Sequence, residues 1–393
     1  MLLPTVTSYI ASYLAAFLYD RSSSVAPPQR NAAPLAPLQF DLRHLHAVSS
    51  DARVLFHDVP PAALSALSNA GEPTSYPLRP RRIKAQRPRS TAAFHRARRR
   101  SMGFQESEAI DWDEIEIEGP DVESQETLLL LAKMTNNAYL EPGEQGWYEL
   151  GDRWNVLSVR LGARRRWVPR ARLATPDNST IVLSIKGTSA AFIGGGGPTS
   201  KKDKFNDNLL FSCCCARVDW TWTTVCDCYR GGWKCDQTCL ENALADDSLF
   251  YSIGTNLYNN LTYLYPHSDI WMVGHSLGGA LASLLGVTFE IQHITHVYHT
   301  ADPIAMGTCN GVLSSCALGG YAMESKCHLG KSIVYDTVSE LSWAVDIRTH
   351  TIVNVIEKLL ANPWPPSVEI GREVPEAKPE EDCVVSQKIV TQA

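Results

Sequence analysis

The chain has 393 residues, 44% of them hydrophobic, which is enough for one large α/β domain with extensions. A formal net charge of −6 is small for this length and does not favour nucleic acid as a partner. Eleven cysteines, most of them clustered, favour an oxidising compartment.

The N-terminus carries one membrane-like stretch. Leu2–Tyr19 is mostly apolar, although proline, threonine and serine interrupt it, and Asp20 closes it. No basic residue precedes the run, as one usually does in a cleaved signal peptide. We therefore predict a signal-anchor or transmembrane segment over 1–20. A cleaved signal peptide and an amphipathic soluble end are the alternatives.

Prolines and a dense basic run mark the next segment. Because like charges at this density usually indicate disorder, we predict a low-order lumenal spacer over 21–112. A nucleic-acid-binding tail is the alternative. Acidic residues take over between positions 106 and 123. The basic residues are Arg79, Arg81, Arg82, Lys84, Arg87, Arg89, Arg96, Arg98, Arg99 and Arg100.

The globular domain is predicted to cover 113–375. Apolar spacing indicates helices and period-two alternation indicates strands. The tail over 376–393 lacks a core pattern, and we predict that it is disordered. The predicted helices cover 126–139, 243–264 and 352–360, and the strands cover 179–186, 270–273 and 293–299.

Seven cysteines cluster between positions 213 and 239. A zinc module is one interpretation. No histidine lies within the cluster, however, and three adjacent cysteines cannot all face one ion, so we predict a disulfide-rich insertion and no metal. Two Asn-x-Ser/Thr sequences fit a lumenal route and make Asn178 and Asn260 candidate glycosylation sites. The cysteines are Cys213, Cys214, Cys215, Cys226, Cys228, Cys235 and Cys239.

The pentapeptide Gly-His-Ser-Leu-Gly at 274–278 is the most informative motif. An apolar run precedes it and a small-residue helix follows it. A strand, a tight turn and a helix in this order form the nucleophile elbow of α/β-hydrolases, which presents the serine above the sheet. Glycines at the flanking positions remove a clash that this turn would otherwise create. Ser276 is therefore the predicted nucleophile, and the predicted fold is an α/β-hydrolase with a mostly parallel central sheet.

An elbow serine needs a histidine to take its proton and a carboxylate to orient that histidine. In α/β-hydrolases the chain order is serine, acid, histidine. Asp302 follows a predicted strand and precedes a proline turn, so it is the favoured acid, with Asp336 and Asp346 as competitors. His350 lies in a polar loop before the last helix and is the favoured histidine. His328 is the alternative.

The reaction also needs donors for an oxyanion. The backbone N–H of Leu277, directly after the nucleophile, is one predicted donor. Thr188, in the loop after the strand over 179–186, is predicted to supply the other. No metal or organic cofactor is required by this chemistry.

The stretch 113–375 resembles the fungal autophagy-related vacuolar lipases of the class 3 lipase family. Mapped onto the shared motifs, the family's triad falls on Ser276, Asp302 and His350. The motifs are LAKMTNNAYL at 131–140, SIKGTS at 184–189, NDNLLFSCCCARVDW at 206–220, GHSLGGALAS at 274–283, HTADP at 299–303, CHLGK at 327–331 and DIRTH at 346–350.

The resemblance implies a single-pass type II membrane glycoprotein with its catalytic domain in the lumen. Such proteins travel through the endoplasmic reticulum and the multivesicular-body membrane to the vacuole. There they hydrolyse phospholipids and neutral lipids and lyse autophagic bodies and intravacuolar vesicles. The expected partners are therefore membrane lipids.

The chain departs from the family between the elbow and the acid. Ser276 and Asp302 are 302 − 276 = 26 residues apart, which is short for a helix, a strand, a crossover and a second strand. We therefore expect one core strand to be missing. This spacing supports an alternative function, a catalytically impaired hydrolase-like membrane protein. A secreted esterase is a third interpretation.

Overall fold

The protein divides into two compact units, Met1–Leu35 and Ala36–Ala393. The computed structural model describes residues 38, 40–48, 54–58, 78, 80–102, 110–140, 144–148, 170–174, 178–188, 203, 205–207, 239, 242, 250–289, 293–299, 301–305, 328, 330–335, 347–360, 367–371 and 388–390. The predicted membrane segment over 1–20 lies outside these residues. Among the helices within them, none has the length and apolarity needed to cross a bilayer.

Strands and helices alternate over the second half of the chain. Seven of the strands are β1 (Asp41–Val48), β2 (Val54–Asp58), β3 (Pro80–Pro88), β4 (Trp112–Pro120), β5 (Arg170–Ala174), β6 (Thr180–Ile185) and β7 (Asp269–Gly274). The others are β8 (Thr295–His299), β9 (Lys331–Tyr335), β10 (Ser367–Gly371) and β11 (Lys388–Val390). The helices are α1 (Thr91–Met102), α2 (Gln125–Asn137), α3 (Phe250–Leu264), α4 (Leu277–Thr288) and α5 (Ile352–Leu360), and a 3-10 turn covers Ile347–His350.

Strand β6 is covered by helices on both faces. Its side chains at 181, 183 and 185 pack against α3 and α4, through residues such as Leu257 and Leu281. On the opposite face, Val182 packs with Leu130 and Met134 of α2. Alternate side chains of a strand point to opposite faces, so every position of β6 is buried. This layering is that of an α/β fold.

The described strands form three sheets, with orders β2-β1-β5-β6-β7, β11-β10-β9-β8 and β3-β4. Only β6–β7 and β8–β9 pair in parallel among these strands. The prediction of a mostly parallel sheet therefore needs correction. Five residues link β5 to β6, which is too short for the crossover that parallel neighbours require, so these strands pair as an antiparallel hairpin.

Among the described strands, none joins the edge strand β7 of the first sheet to the edge strand β8 of the second. Helix α4 ends at Thr288 and β8 begins at Thr295, so six residues connect them. The absence of a core strand between the elbow and the acid stays a prediction.

The predicted low-order spacer over 21–112 also needs correction, because its described part contains β1, β2, β3 and α1. Phe40 and Leu78 are buried in the same cluster as Trp271, beside the elbow strand. The rings of Phe40 and Trp271 have their centroids 6.1 Å apart. Apolar residues among the prolines and arginines thus belong to the hydrolase core.

Strand β3 carries much of the basic run and pairs with the acidic strand β4. Lys84 lies opposite Glu116 in the register, and its Nζ is 2.8 Å from Oε1 of Glu114. Arg89 Nη2 lies 3.0 Å from Oδ1 of Asp113. Opposite charges across an antiparallel pair stabilise it, so a run that would repel itself in isolation forms a regular strand.

The tail predicted to be disordered over 376–393 includes β11, whose backbone pairs with β10. Residues 388–390 are therefore ordered, contrary to the prediction for this tail. Of the predicted disulfide-rich insertion, Cys239 is disulfide-bonded. Its other six cysteines lie outside the described residues.

Candidate active site

The turn between β7 and α4 holds Ser276 at φ 57 and ψ −130, a conformation that side-chain-bearing residues rarely adopt. The flanking glycines are needed because neighbouring backbone is so close. A Cβ on Gly274 would lie 2.3 Å from the carbonyl oxygen of Gly278. A Cβ on Gly278 would lie 2.2 Å from the carbonyl oxygen of Ile185, at the end of β6. The sequence therefore folds into the predicted elbow.

Ser276, His350 and Asp302 form one line of hydrogen bonds. His350 Nε2 lies 3.0 Å from Ser276 Oγ, and His350 Nδ1 lies 2.8 Å from Asp302 Oδ2. Because the carboxylate accepts, Nδ1 carries the hydrogen and Nε2 accepts from the serine hydroxyl. The structure thus brings together the three residues predicted from chain order, despite the short spacing. Their catalytic roles stay predictions.

Asp302 is buried and ionised. Burial alone would raise the pKa of its carboxyl group, but the nearby His350 and the hydrogen bonds to Oδ1 and Oδ2 outweigh that effect and lower the pKa. The backbone N–H groups of Ile304 and Ala305 donate to Oδ1 at 2.9 and 3.2 Å. The carboxylate is therefore held in place from two sides, with one oxygen directed at the histidine.

The competing residues lie elsewhere or outside the described part. His328 donates through Nε2 to the carbonyl oxygen of Ala305, and its ring lies 4.5 Å from that of His296. Nδ1 of His299 accepts from the N–H of Ala301. His293 contacts the carbonyl of Lys84. Asp336 and Asp346 lie outside the described residues.

Thr188 and Leu277 belong to the two segments that were predicted to supply the oxyanion donors. Leu277 is the first residue of α4, so its backbone N–H belongs to the positive end of that helix. Thr188 follows β6, and its hydroxyl donates to Oδ2 of Asp207 at 2.6 Å. With the hydroxyl engaged by Asp207, the backbone N–H is the donor that Thr188 offers to an oxyanion. That role also stays a prediction.

A buried charged cluster supports this loop, and the sequence did not reveal it. Lys186 Nζ donates to the carbonyl oxygen of Gly187 at 2.9 Å and to Oδ2 of Asp203 at 3.2 Å. Burial raises the pKa of Asp207 to about 8. Asp203 and Asp207 are four residues apart, a spacing that places them on one side of a helical turn. The sequence does not show which side chains Asp203 and Asp207 contact, so their spacing alone did not indicate a function.

Neither glycosylation candidate is tested by the geometry. Asn178 is exposed and has a φ of 57 just before β6. Asn260 lies within α3 and is half-buried, and the hydroxyl of Thr262 donates to the carbonyl of Asn259. Within the described residues, no group of histidine, cysteine and acidic side chains is arranged to hold a metal ion.

A strand–serine–helix elbow, a histidine and an acid in the order Ser276, Asp302, His350, and a helix-covered sheet define the α/β-hydrolase class. Residues 214–310 match the family model described as lipase (class 3). Over these residues the chain is similar to the class 3 lipases.

Several fungal relatives carry the name "Putative lipase ATG15". The chain is 52% identical to one from Cryptococcus neoformans var. neoformans serotype D (strain B-3501A), over 66% of this chain and 56% of the relative. It is 45% identical to one from Mycosarcoma maydis, over 66% and 56%. It is 38% identical to one from Yarrowia lipolytica, over 75% and 60%. The chain thus spans little more than half the length of these relatives.

A solved structure, that of the Lip2 lipase from Yarrowia lipolytica, is 19% identical in sequence, with a TM-score of 0.23. The match covers 47% of this chain and 60% of that one.

Proposed function

We propose that this protein is a serine lipase that hydrolyses carboxylic ester bonds of membrane lipids. The observation that carries the proposal is the buried His350 ring, which contacts Ser276 Oγ at 3.0 Å and Asp302 Oδ2 at 2.8 Å. A serine hydroxyl is a weak nucleophile at neutral pH, and it becomes effective when an oriented imidazole takes its proton.

In the proposed mechanism, Ser276 Oγ attacks the ester carbonyl while His350 Nε2 takes the hydroxyl proton. The imidazolium that forms is stabilised by the ionised Asp302. The backbone N–H groups of Leu277 and Thr188 donate to the oxyanion. His350 returns the proton to the leaving alcohol, which leaves an acyl-enzyme. Water, deprotonated by the same histidine, then releases the carboxylic acid and restores the serine.

The substrates are proposed to be phospholipids and neutral lipids of membranes. Support comes from the match of residues 214–310 to the class 3 lipase model and from the relatives named as lipases. The proposed location is the multivesicular-body membrane and the vacuole lumen, with residues 1–20 as the anchor and lysis of autophagic bodies as the outcome. Anchoring is tested by carbonate extraction of membranes from cells that express the full chain.

Ser276→Ala is the direct test of the proposed chemistry. We expect it to lower hydrolysis of p-nitrophenyl butyrate and of phosphatidylcholine vesicles by at least about 10⁴-fold, because the nucleophile is lost. Ser283→Ala is the matched control, since Ser283 lies on α4 and its hydroxyl donates to the carbonyl of Gly279 at 3.0 Å. Turnover by Ser276→Ala near that of the wild type would refute the proposal.

A catalytically impaired hydrolase-like membrane protein is the second candidate. It is favoured by the two sheets that no described strand joins. Labelling by a fluorophosphonate separates the two functions, because rapid labelling requires an activated serine and oxyanion donors. A folded wild-type chain that is not labelled would support the second candidate.

A further inference from the structure

A chain of hydrogen bonds runs from the end of α2 to the backbone of His350. It passes through His275, the residue directly before the nucleophile. Nδ1 of His275 lies 2.8 Å from the hydroxyl oxygen of Tyr139. Nε2 of His275 contacts the carbonyl oxygen of His350, and the two imidazole rings have their centroids 4.8 Å apart.

These contacts fix the tautomer of His275. A carbonyl oxygen can only accept, so Nε2 must carry the hydrogen. Nδ1 of the neutral ring then accepts, and the hydroxyl of Tyr139 donates to it. Burial lowers the pKa of His275 to about 3, and the neighbouring His350 acts in the same direction. The ring therefore stays neutral at any pH at which the enzyme would work.

The carbonyl of His350 is well placed to receive such a bond. His350 ends the 3-10 turn, and α5 begins only after it. The first helical bond of α5 runs from the N–H of Val355 to the carbonyl of Thr351, at 3.1 Å. The carbonyl of His350 lies one residue earlier and points to His275. A bond to this carbonyl restrains the backbone from which the His350 side chain extends.

Tyr139 is held as tightly as His275. A Cβ on Gly187 would lie 2.3 Å from the Tyr139 hydroxyl and 2.2 Å from the carbonyl oxygen of His275. Lys186 Nζ lies 5.4 Å from the centroid of the Tyr139 ring. Gly187, Tyr139 and the elbow therefore lie close together, with no room for a larger side chain at 187.

We propose that His275 is a positioning residue for the hydrolysis proposed above, and that Tyr139 holds it in the tautomer that donates to the His350 carbonyl. This inference rests on the proposed function. His275 ties the backbone of the general base to the same turn that carries the nucleophile. The separation between Ser276 Oγ and His350 Nε2 is thus set from one place.

Three substitutions and one combination test the proposal, with rates measured on p-nitrophenyl butyrate per active site titrated by a fluorophosphonate. His275→Phe removes both bonds, and we expect kcat to fall about 10- to 100-fold with little change in KM, because a misplaced base slows chemistry more than binding. His275→Gln keeps an N–H donor for the carbonyl and should recover much of that loss. Tyr139→Phe should lower kcat by a smaller factor.

The double variant, with Tyr139→Phe and His275→Phe combined, is the most decisive test. If Tyr139 acts only through His275, the double variant should be no slower than His275→Phe alone. Tyr251→Phe is the matched control, because its hydroxyl bonds Thr288 Oγ1 at 2.7 Å between α3 and α4, away from the site. It should keep the kcat of the wild type.

Wild-type kcat in His275→Phe, or in Tyr139→Phe should the former not fold, would overturn the proposal. A His275→Gln variant as slow as His275→Phe would overturn it too, since the N–H donor would then not be what matters. If the losses of kcat from the two substitutions add in the double variant, Tyr139 does not act through His275 and that part of the proposal is wrong. Failure of the proposed function is distinct, because it requires turnover by Ser276→Ala or no labelling of the wild type.

Discussion

Asp207 is the acid behind the oxyanion loop, and its protonation differs from that of Asp302. Both carboxyl groups are buried. Asp302 faces His350, which favours the carboxylate. For Asp207, burial comes first and the nearby Asp203 adds to it, whereas the Thr188 hydroxyl and Lys186 oppose them only in part. Asp207 is therefore protonated at neutral pH.

This difference predicts a pH dependence of stability. The pKa of Asp207 is raised from 3.8 to about 8, so the folded protein holds a proton that the unfolded chain releases within that window. Its contribution to stability is complete below about pH 4 and is lost as the pH rises to about 8, by at most about 1.4 kcal/mol per pH unit. Asp207→Asn lacks this titration, so its melting temperature should rise relative to the wild type between pH 5 and pH 8.

Glu114→Gln is the control for that measurement, because it removes one exposed carboxylate on β4. It should leave the pH dependence of the melting temperature as in the wild type. Identical pH profiles for Asp207→Asn and the wild type would contradict the assigned protonation.

Chain order and turn chemistry were sufficient to predict Ser276, Asp302 and His350, because the elbow has a local signature and the order of its partners is restricted. Tyr139 and His275 were different. They are 136 residues apart, and their bond depends on how α2 and β7 meet across β6. No local pattern encodes that contact. Asp207 could not be predicted either, because its interactions with Thr188 and Lys186 also depend on the fold.

The antiparallel pair of β3 and β4 shows how charge patterning misleads when segments are considered separately. The basic run, considered alone, was predicted to be low in order. Paired in register from Pro80–Pro120 to Pro88–Trp112, the basic and acidic strands neutralise each other. The helices and the strands around the elbow were predicted within a few residues. The predicted start of α3 near 243 lies outside the described residues. Their periodicity reports burial directly.

Reversing one charge in this strand pair should weaken it. Lys84→Glu places a carboxylate opposite Glu116 and beside Glu114, so we expect a small decrease in the urea midpoint at low salt. Because exposed charges are screened by ions, the decrease should shrink at high salt. Adding Glu114→Lys to this variant should restore the midpoint. A loss that is equal at low and high salt would indicate a cause other than charge.

The hydrolase core extends into the N-terminal part of the chain. Phe40 is 5% exposed and packs with Trp271, Val182 and Met134, so residues far ahead of the predicted domain start help to bury the elbow strand. Little in the sequence indicated this, because single apolar residues among prolines show no period. The start of the domain depends on packing between residues far apart in the chain, which local sequence patterns do not show.

Phe40→Ala tests that boundary. A buried phenylalanine replaced by alanine costs about 3–5 kcal/mol, so the free energy of unfolding in urea should fall by that amount. Tyr263→Ala is the control, because this side chain is 84% exposed and its loss should change stability by no more than about 0.5 kcal/mol. If residues 21–112 acted only as a spacer, the two variants would behave alike.

The backbone conformation of Ser276 destabilises the folded state. Ser276 occupies a conformation that glycine adopts freely and serine does not, at a cost of about 1–3 kcal/mol. That same conformation directs the Ser276 hydroxyl at the His350 imidazole. Under the proposed mechanism, the protein therefore gives up part of its folding stability to keep the nucleophile aligned.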